Sequence, residues 1–290
     1  MAYCARNAVY TYSLRHLGYL LNILLNPFKK GLPSEWKQID GYDRTLTITV
    51  NPVEHIGSYI YFTGYYETLE VWALKKLIKP DSVILDVGAH IGTWTLLFAK
   101  MAPAGRVYAF EPSGMFERLK YNVEINPQLS AIHLVNLALG AVPGEVTLAE
   151  KPGPLMEKRL NYGNIQLDLQ SPGYGKENRV RVVALDAWVV SENIRKLDWI
   201  KMDVEGMEFL ALEGGLKSLE KFQPNLMIEI NEHALDRYNS SLLQLQEMLK
   251  RLGYRCFYRV GKRGRLIKSP WFSGTSGAAF NLICSTGDLA

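Results

Sequence analysis

A turn that contains glycine joins an apolar segment to a helical one, and it carries the first residues suited to chemistry. Residues 83–95 hold Asp86, Gly88 and Gly92 in this order. In a doubly wound sheet, a turn of this kind lies at the carboxyl ends of the strands, where nucleotide-like ligands bind. Dinucleotide sites have a glycine in the middle of the turn, which lets a pyrophosphate approach the backbone. Because His90 occupies that position, the turn favours a ligand without phosphates.

A second acidic position follows at the end of the next apolar segment. Glu111, with Pro112 after it, stands 111 − 88 = 23 residues beyond Gly88. A carboxylate at the tip of the second strand can accept hydrogen bonds from both hydroxyls of a ribose. S-Adenosylmethionine has a ribose diol, no phosphate and a sulfonium cation compatible with Asp86, so it satisfies both observations. The alternative is that Asp86 and Glu111 only cap the helices that follow them.

A third cluster places one lysine and three carboxylates within eight residues: Lys201, Asp203, Glu205 and Glu208. On a strand, Lys201 and Asp203 share one face, and a lysine inside an apolar strand needs a partner or a cavity. Glu205 and Glu208 stand where the next helix would begin, a place where acidic residues also stabilise the helix dipole. The cluster therefore predicts either reactive carboxylates at a strand tip or, for the glutamates, a helix start.

The elements that must position these residues alternate along the chain. Short apolar segments rich in β-branched residues alternate with segments of helical period, which predicts right-handed βαβ units and a parallel sheet covered on both faces. The predicted strands are 82–87, 107–111, 132–136, 198–203 and 225–229, and the clearest helices are 93–101, 115–125 and 208–221. We therefore expect an α/β, doubly wound, mostly parallel sheet.

The flanking regions break this rhythm. An alternation of polar and apolar residues over 42–66 predicts strands at 45–50 and 59–62, and a helical pattern follows over 67–77. Residues 144–185 predict a β-rich insertion, and residues 254–260 and 278–284 an antiparallel closing pair of strands. We expect an N-terminal helix and β cap over 1–78 and a core domain over 79–290. Within the insertion, the predicted strands are 145–148, 164–167 and 180–185.

Composition limits the class of protein. The chain has 290 residues, a net charge of +4 and 48% hydrophobic residues, which is typical of a folded globular protein. The small charge excess argues against nucleic acid as a partner. Three widely separated cysteines, Cys4, Cys256 and Cys284, predict neither a disulfide framework nor a zinc site and fit the reducing cytoplasm.

Residues 14–30 predict an amphipathic helix, with apolar side chains at helical spacing and flanking basic residues. The apolar run 17–25 is well short of the ~20 residues that a membrane span needs. The helix would be either a lid packed on the main domain or a peripheral anchor on an anionic membrane.

Several of these segments resemble the FkbM-type S-adenosylmethionine-dependent methyltransferases. The resemblance covers residues 42–284, and the family often has asparagine where this chain has His90. It rests on Asp86-Val-Gly-Ala-His-Ile-Gly92, Phe110-Glu-Pro112, Leu185-Asp-Ala-Trp188, Ile200-Lys-Met-Asp-Val-Glu-Gly-Met-Glu208, Gly64-Tyr-Tyr-Glu67 and Met227-Ile-Glu-Ile-Asn231.

The resemblance implies a Rossmann-like class I methyltransferase that transfers a methyl group to a hydroxyl oxygen of a sugar, a glycan or a natural product. A neutral hydroxyl must lose a proton as the new bond forms, which calls for a base or a metal. The first candidate base is Asp203, with Glu67, Glu205, Glu229 and His90 as possible partners. The residues expected at the cofactor are Asp86, Gly88, Ala89, His90, Gly92, Glu111, Pro112, Asn136 and Asp203.

Other possibilities remain open from the residues alone. Mg²⁺ could bind at Asp203 and Glu229, with waters completing its octahedron. A nucleic-acid methyltransferase is an alternative, although the N/D-P-P-Y/W/F run of amino-group methylases is missing from the fourth strand. A Rossmann-like module that binds a partner without catalysis is another. The loop 259–268, with five cations and two glycines, predicts a flexible, solvated hairpin tip or a device that steers an anionic acceptor.

Overall fold

The structure is a computed structural model that describes residues 35–150, 165–168, 178–269 and 279–289, with the backbone alone for 148–150, 165–168 and 178. The predicted helix at 14–30 lies outside these residues. In the described part of the chain, no helix has the length and apolar character needed to cross a membrane.

The described residues form strands and helices that alternate through the middle of the chain. The strands are β1 (Lys37–Tyr42), β2 (Leu46–Val50), β3 (Val83–Val87), β4 (Arg106–Phe110), β5 (Ile132–Val135), β6 (Ala138–Leu139), β7 (Gly144–Glu150), β8 (Ile165–Asp168), β9 (Asn178–Val183), β10 (Trp199–Met202), β11 (Asn225–Ile230), β12 (Cys256–Val260), β13 (Leu266–Lys268) and β14 (Phe280–Ser285). The helices are α1 (His55–Thr63), α2 (Thr68–Leu77), α3 (Thr93–Met101), α4 (Phe116–Glu124), α5 (Leu185–Ser191), α6 (Glu208–Glu213), α7 (Leu216–Phe222), α8 (Glu232–Asp236) and α9 (Leu242–Arg251).

The central sheet has eight strands in the order β13-β12-β14-β11-β10-β3-β4-β5. The five strands from β11 to β5 are parallel, and β14 is antiparallel to both of its neighbours, β11 and β12. This is the predicted α/β, doubly wound, mostly parallel Rossmann-like sheet with an antiparallel closing strand. The carboxyl ends of the parallel strands lie at one edge, where the sequence motifs place the candidate site.

Both faces of the sheet are buried because successive strand residues belong to different cores. Leu85 and Ile200 pack with the helices of one face, whereas Ile84 and Trp199 pack with α2 and α3 on the other. Each such aliphatic side chain stabilises the fold by about 1.5–3 kcal/mol when fully buried. Both faces of β3 and β10 are thus used, which explains their continuous apolar sequence.

Asp86 and Lys201 are register partners on the face that α2 and α3 cover. Met227 is the partner of Lys201 on its other side, and Glu229 lies two residues further along β11. Glu229 in turn pairs with Asn281 of β14. Because strand residues alternate between faces, these polar side chains project from the same face at the carboxyl edge.

The hairpin β1–β2 is fastened to the core by polar side chains. Asn122 of α4 accepts the backbone N–H of Thr49 at 2.8 Å, and Asn126 accepts that of Thr47 at 2.9 Å. The buried Asp43 accepts hydrogen bonds from Lys75 at 2.6 Å and Lys100 at 2.7 Å. The hairpin therefore joins three helices that surround the candidate site.

Two predicted elements were wrong. Residues 59–62 are helical and belong to α1, which buries Gly57, Ile60 and Thr63 at intervals of three. A Cβ at Gly57 would lie 1.9 Å from the carbonyl oxygen of Asn51, so glycine permits the helix to approach β2 closely. The helix predicted over 208–221 is divided into α6 and α7 at Gly214-Gly215, where a Cβ on Gly214 would lie 2.1 Å from the carbonyl oxygen of Gly140.

The predicted insertion contains β7, β8 and β9, which form a second sheet with β6 in the order β6-β9-β7-β8. The predicted boundaries of the cap, core and insertion remain predictions.

The basic loop is less free than its two glycines predict. Residues Lys262–Gly264 form a 3₁₀ turn, and β13 follows it. Gly264 is buried, and a Cβ there would lie 2.6 Å from the backbone nitrogen of Ala73. Lys76 also donates a hydrogen bond to the carbonyl oxygen of Arg263 at 3.2 Å. The turn is therefore packed against α2.

Candidate active site

The glycine turn closes tightly over the end of β4. The N–H groups of Gly88 and Ala89 both donate to the carbonyl oxygen of Phe110, at 3.0 and 2.9 Å. Gly88 and Gly92 have positive φ angles of 79° and 91°. A Cβ at Gly88 would lie 1.9 Å from the carbonyl oxygen of Asp203, so the turn touches the end of β10 directly.

Glu111 lies beside this turn at the tip of β4 and is 6% exposed. Its Oε2 accepts the backbone N–H of His90 at 2.7 Å, and its Oε1 accepts that of Ser113 at 2.9 Å. Asn136 donates its side-chain amide to the carbonyl oxygen of Glu111 at 2.8 Å. The structure therefore brings together three residues expected at the cofactor, and it holds the Glu111 carboxylate in a fixed orientation.

Asp86 is fully buried below the turn. Its Oδ2 accepts a hydrogen bond from the Thr95 hydroxyl at 2.6 Å, whereas its Oδ1 has no hydrogen-bond partner in the described part of the chain. Burial raises the pKa of Asp86, and the positive charge of Lys201 opposes that rise. A buried oxygen that lacks a partner points to a polar or cationic ligand at this position.

Lys201 connects the two acidic positions. Its Nζ lies 3.3 Å from the carbonyl oxygen of Gly88, 3.4 Å from Asp203 Oδ2 and 3.8 Å from Asp86 Oδ1. Burial alone lowers the pKa of Lys201, but the carboxylates of Asp203 and Asp86 outweigh it and raise the pKa above its ordinary value. The sequence indicated that this lysine needs a partner but did not assign it to the site.

Asp203 is more accessible than the residues around it, since 34% of its side chain is exposed. Its backbone N–H donates to the carbonyl oxygen of Val87 at 3.1 Å. Asp203 therefore lies at the junction of β3 and β10, with one carboxylate oxygen near Lys201.

Glu205 and Glu208 have different environments. Glu208 is buried, and its Oε1 accepts the backbone N–H groups of Val204 and Gly206 at 3.0 and 3.3 Å. Burial raises the pKa of Glu208 to about 7 against the effect of these hydrogen bonds. Burial also raises the pKa of Glu205 to about 7, assisted by the charge of Asp203 and opposed by Arg237. Glu208 thus stabilises the loop before α6, and Glu205 lies nearer the acidic edge.

Glu67 joins the cap to the core. Its Oε2 accepts the indole N–H of Trp94, and its Oε1 accepts the side-chain amide of Asn281, both at 2.6 Å. Burial and the charge of Asp203 raise the pKa of Glu67. Because both oxygens are engaged, the geometry favours a positioning role for Glu67 over that of a base. Trp94 and Asn281 were not among the candidate residues.

Glu229 lies opposite Asn281 in the sheet. Burial raises its pKa to about 9, and repulsion from Asp203, Glu205 and other carboxylates adds to the rise. Near neutral pH this carboxyl group therefore holds its proton and can donate a hydrogen bond.

His90 contributes its backbone to Glu111 and leaves its ring available. Both ring nitrogens are buried and have no hydrogen-bond partner among residues that the structure describes. Burial lowers the pKa of His90, while the charge of Glu111 opposes this. The imidazole is therefore neutral at physiological pH and can donate to or accept from a ligand.

The possible Mg²⁺ site receives no support from the geometry. In the described ranges, no group of three or more His, Cys, Asp or Glu side chains is arranged to hold a metal ion. The ammonium of Lys201 lies between Asp86 and Asp203 instead.

A family model, the Methyltransferase FkbM domain, matches residues 86–256, which is more than half of the chain. The chain belongs to the FkbM methyltransferase family. The matched region contains the glycine turn, Glu111 and the β10 cluster.

Similar curated proteins include three FkbM-related sequences. 2-O-methyltransferase NoeI of Sinorhizobium fredii is 26% identical over 155 residues, which cover 51% of this chain and 63% of NoeI. Hexuronic acid methyltransferase AglP of Haloferax volcanii is 24% identical over 184 residues, covering 63% of this chain and 69% of AglP. AMB antimetabolite synthetase AmbE of Pseudomonas aeruginosa is 22% identical over 254 residues, covering 77% of this chain but 12% of AmbE.

Among solved structures, the methyltransferase FkbM from Methylobacillus flagellatus KT is similar at 19% identity and a TM-score of 0.44. The match covers 71% of this chain and 44% of that one.

The FkbM-like segment Leu185-Asp-Ala-Trp188 stabilises the fold. Asp186 accepts the backbone N–H groups of Lys217 and Ser218 at 3.1 and 2.7 Å, at the start of α7. The Trp188 ring lies edge-on to Phe110 with 4.8 Å between centroids. The segment thus anchors α7 and the end of β4, and it acts on the site only through packing.

Proposed function

We propose that this FkbM chain transfers a methyl group from S-adenosylmethionine to a hydroxyl oxygen of a sugar, glycan or natural-product acceptor. The observation that carries the proposal is the contact of the glycine turn with the end of β10. It places a partly exposed carboxylate, Asp203, directly beside the candidate cofactor turn. The distant likeness to NoeI and AglP supports a hydroxyl acceptor.

The residues present fit the cofactor. Each oxygen of Glu111 already accepts one backbone N–H and retains acceptor capacity for a ribose hydroxyl. The unpartnered Asp86 Oδ1 and the ring nitrogens of His90 offer contacts for the charged amino-acid end. When bound, S-adenosylmethionine supplies the electrophilic methyl group.

The protein residues provide proton transfer and orientation. Lys201 lies near Oδ2 of Asp203, so Oδ1 is the oxygen that we assign to accept the proton of the acceptor hydroxyl. Glu205, whose pKa burial raises to about 7, is the second candidate base. Holding the acceptor at attack distance can lower the barrier by up to about 7–11 kcal/mol, so positioning contributes much of the acceleration.

The same acidic edge disfavours a nucleic-acid acceptor. Phosphate backbones are bound by lysine and arginine, whose number sets the salt dependence of binding. Here Asp203, Glu205 and Glu229 lie where the acceptor must approach. A phosphate in this position would face repulsion in place of attraction.

The test is methyl transfer from labelled S-adenosylmethionine to fractionated glycans, lipids and small metabolites, with Asp203→Asn beside the natural chain. We expect Asp203→Asn to bind the cofactor normally and to lose at least about 100-fold in turnover. The matched control is Asp81→Asn, which removes an exposed carboxylate paired with Lys196. Normal turnover in Asp203→Asn would remove Asp203 from the mechanism, and methyl transfer to RNA alone would overturn the assigned acceptor class.

A further inference from the structure

A row of aromatic rings extends from the surface of α1 toward the acidic edge. His55 and Tyr59 lie one helical turn apart, with ring centroids 5.2 Å from each other. Tyr59 and Tyr66 follow at 6.5 Å, with an angle of 72° between their planes. His55 is exposed, and both tyrosines are half-buried. We call these three residues the aromatic wall.

The inner end of the wall adjoins the candidate active site. Tyr66 directly precedes Glu67, whose carboxylate accepts the amide of Asn281 at 2.6 Å. Asn281 lies opposite Glu229 in the sheet. Tyr66 is therefore held beside the strand tips that carry the candidate catalytic carboxylates.

Tyr66 is a hydrogen-bond donor in this environment. Burial raises the pKa of its phenol well above the ordinary value, and the charges of Glu67, Asp203 and Glu229 add to the rise. The hydroxyl therefore keeps its proton at all physiological pH values. It forms no hydrogen bond with the residues described by the structure, so a bound ligand can be its partner.

The wall and the edge differ in the chemistry that they accept. An aromatic face is electron-rich and attracts the C–H groups of a sugar ring, whose hydroxyls point outward to other partners. The acidic edge holds Asp203, Glu205 and Glu229, opposed by Lys201 and Arg237. Like charges brought together in a binding site cost several kcal/mol, so a carboxylate or phosphate on the acceptor is disfavoured here.

We propose that the aromatic wall binds the ring of an uncharged sugar, and that Tyr66 donates a hydrogen bond to one of its hydroxyls. This inference rests on the proposed function, because it treats the wall and Asp203 as parts of one acceptor site. It assigns the acceptor a class, a neutral pyranoside, and excludes uronates and sugar phosphates as preferred acceptors.

Binding is the first test. The chain is loaded with S-adenosylhomocysteine, and saturation-transfer NMR measures neutral methyl pyranosides of glucose, galactose, mannose, fucose and rhamnose. Methyl glucuronide and methyl galacturonide are the matched anionic pair for two of them. We expect at least one neutral glycoside to bind, and the uronates to bind at least about 10-fold more weakly than their neutral counterparts. Tighter binding of the uronates, or binding of none of the glycosides, would overturn the proposal.

Variants locate the bound ring. Tyr59→Leu removes an aromatic face, and Tyr66→Phe removes the hydroxyl while keeping the ring. Each should weaken glycoside binding about 3- to 10-fold while the affinity for S-adenosylhomocysteine stays the same. The control is Tyr121→Leu, a tyrosine of α4 that is 42% exposed and outside the wall. Unchanged glycoside affinity in both wall variants would refute the assignment.

The two proposals fail in different ways. If neutral glycosides bind through the wall but never gain a methyl group, the wall stands and the methyl-transfer proposal falls. If other hydroxyl acceptors are methylated at rates that ignore Tyr59→Leu and Tyr66→Phe, the function stands and the wall falls.

Discussion

The Nζ of Lys201 lies 3.4 Å from Oδ2 of Asp203, and both side chains project from the same face of β10. Lys201 is 5% exposed, so this ion pair is largely removed from water. The pair connects the candidate base to the carbonyl oxygen of Gly88 in the cofactor turn. The charge of one residue thus holds together the donor and acceptor sides of the site.

Lys201→Met should lower the free energy of unfolding by about 3–5 kcal/mol, because it leaves buried carboxylates without their counter-charge. Urea denaturation measures the loss. Lys196→Met, which breaks exposed pairs with Asp81 and Asp198, is the control and should cost no more than about 1 kcal/mol. Lys201→Arg should recover part of the stability. Equal losses in Lys201→Met and Lys196→Met would contradict the structural account.

Gly88→Ala should abolish cofactor binding and destabilise the fold. The added Cβ would lie 1.9 Å from the carbonyl oxygen of Asp203, and the φ angle of 79° is strained for alanine. Calorimetric titration with S-adenosylhomocysteine measures the affinity. Gly114→Ala is the matched control, since a Cβ there meets nothing within 4 Å. A Gly88→Ala chain that binds normally would show that the turn is more open than described.

Glu111→Gln should weaken cofactor binding about 10- to 100-fold, because hydrogen bonds to a charged group contribute about 1.5–3 kcal/mol each. The amide keeps the size of the side chain, which separates the loss of charge from a packing defect. Glu117→Gln, an exposed substitution on α4, is the control. If titration gives the same affinity for Glu111→Gln and the natural chain, the ribose contact must lie elsewhere.

Stability should fall as the pH rises from about 5 to 9. Burial raises the pKa of Glu229 to about 9 in the folded chain, whereas an unfolded glutamate ionises near its ordinary value of 4.5. Between these values the folded state holds the extra proton, so each unit of pH lowers the free energy of unfolding by up to about 1.4 kcal/mol.

Glu229→Gln should flatten this pH dependence, since an amide does not titrate. The exposed Glu232→Gln is the control and should leave the slope unchanged. Urea denaturation at pH 5, 7 and 9 measures both variants. An unaltered slope in Glu229→Gln would mean that another group holds the proton.

The sequence predicts those parts of the site that lie on single strands or turns. The runs ending at Asp86, Glu111 and Asp203 are apolar and β-branched, and parallel strands bring such ends to one edge. The contacts of Glu67 could not be predicted in this way. Asn281 is 214 positions away in the chain, and nothing in its neighbourhood marks it as a partner.

The prediction for residues 59–62 failed for a different reason. Aromatic and β-branched residues favour a strand locally, but Gly57 allows α1 to pack on the backbone of Asn51. Tertiary packing thus overrode the local preference. The same helix carries His55 and Tyr59, so the proposed acceptor wall could not be predicted from an assumed strand.

The position of β14 sets an order of assembly. β14 is the last strand along the chain, yet it lies between β11 and β12. It also supplies the amide that holds Glu67. During synthesis on the ribosome, the turn, Glu111 and Lys201 emerge long before this strand, and the gap beside β11 stays open until it arrives. A nascent chain can therefore form the donor half of the site early, whereas the acceptor half is completed only by the final strand to be inserted.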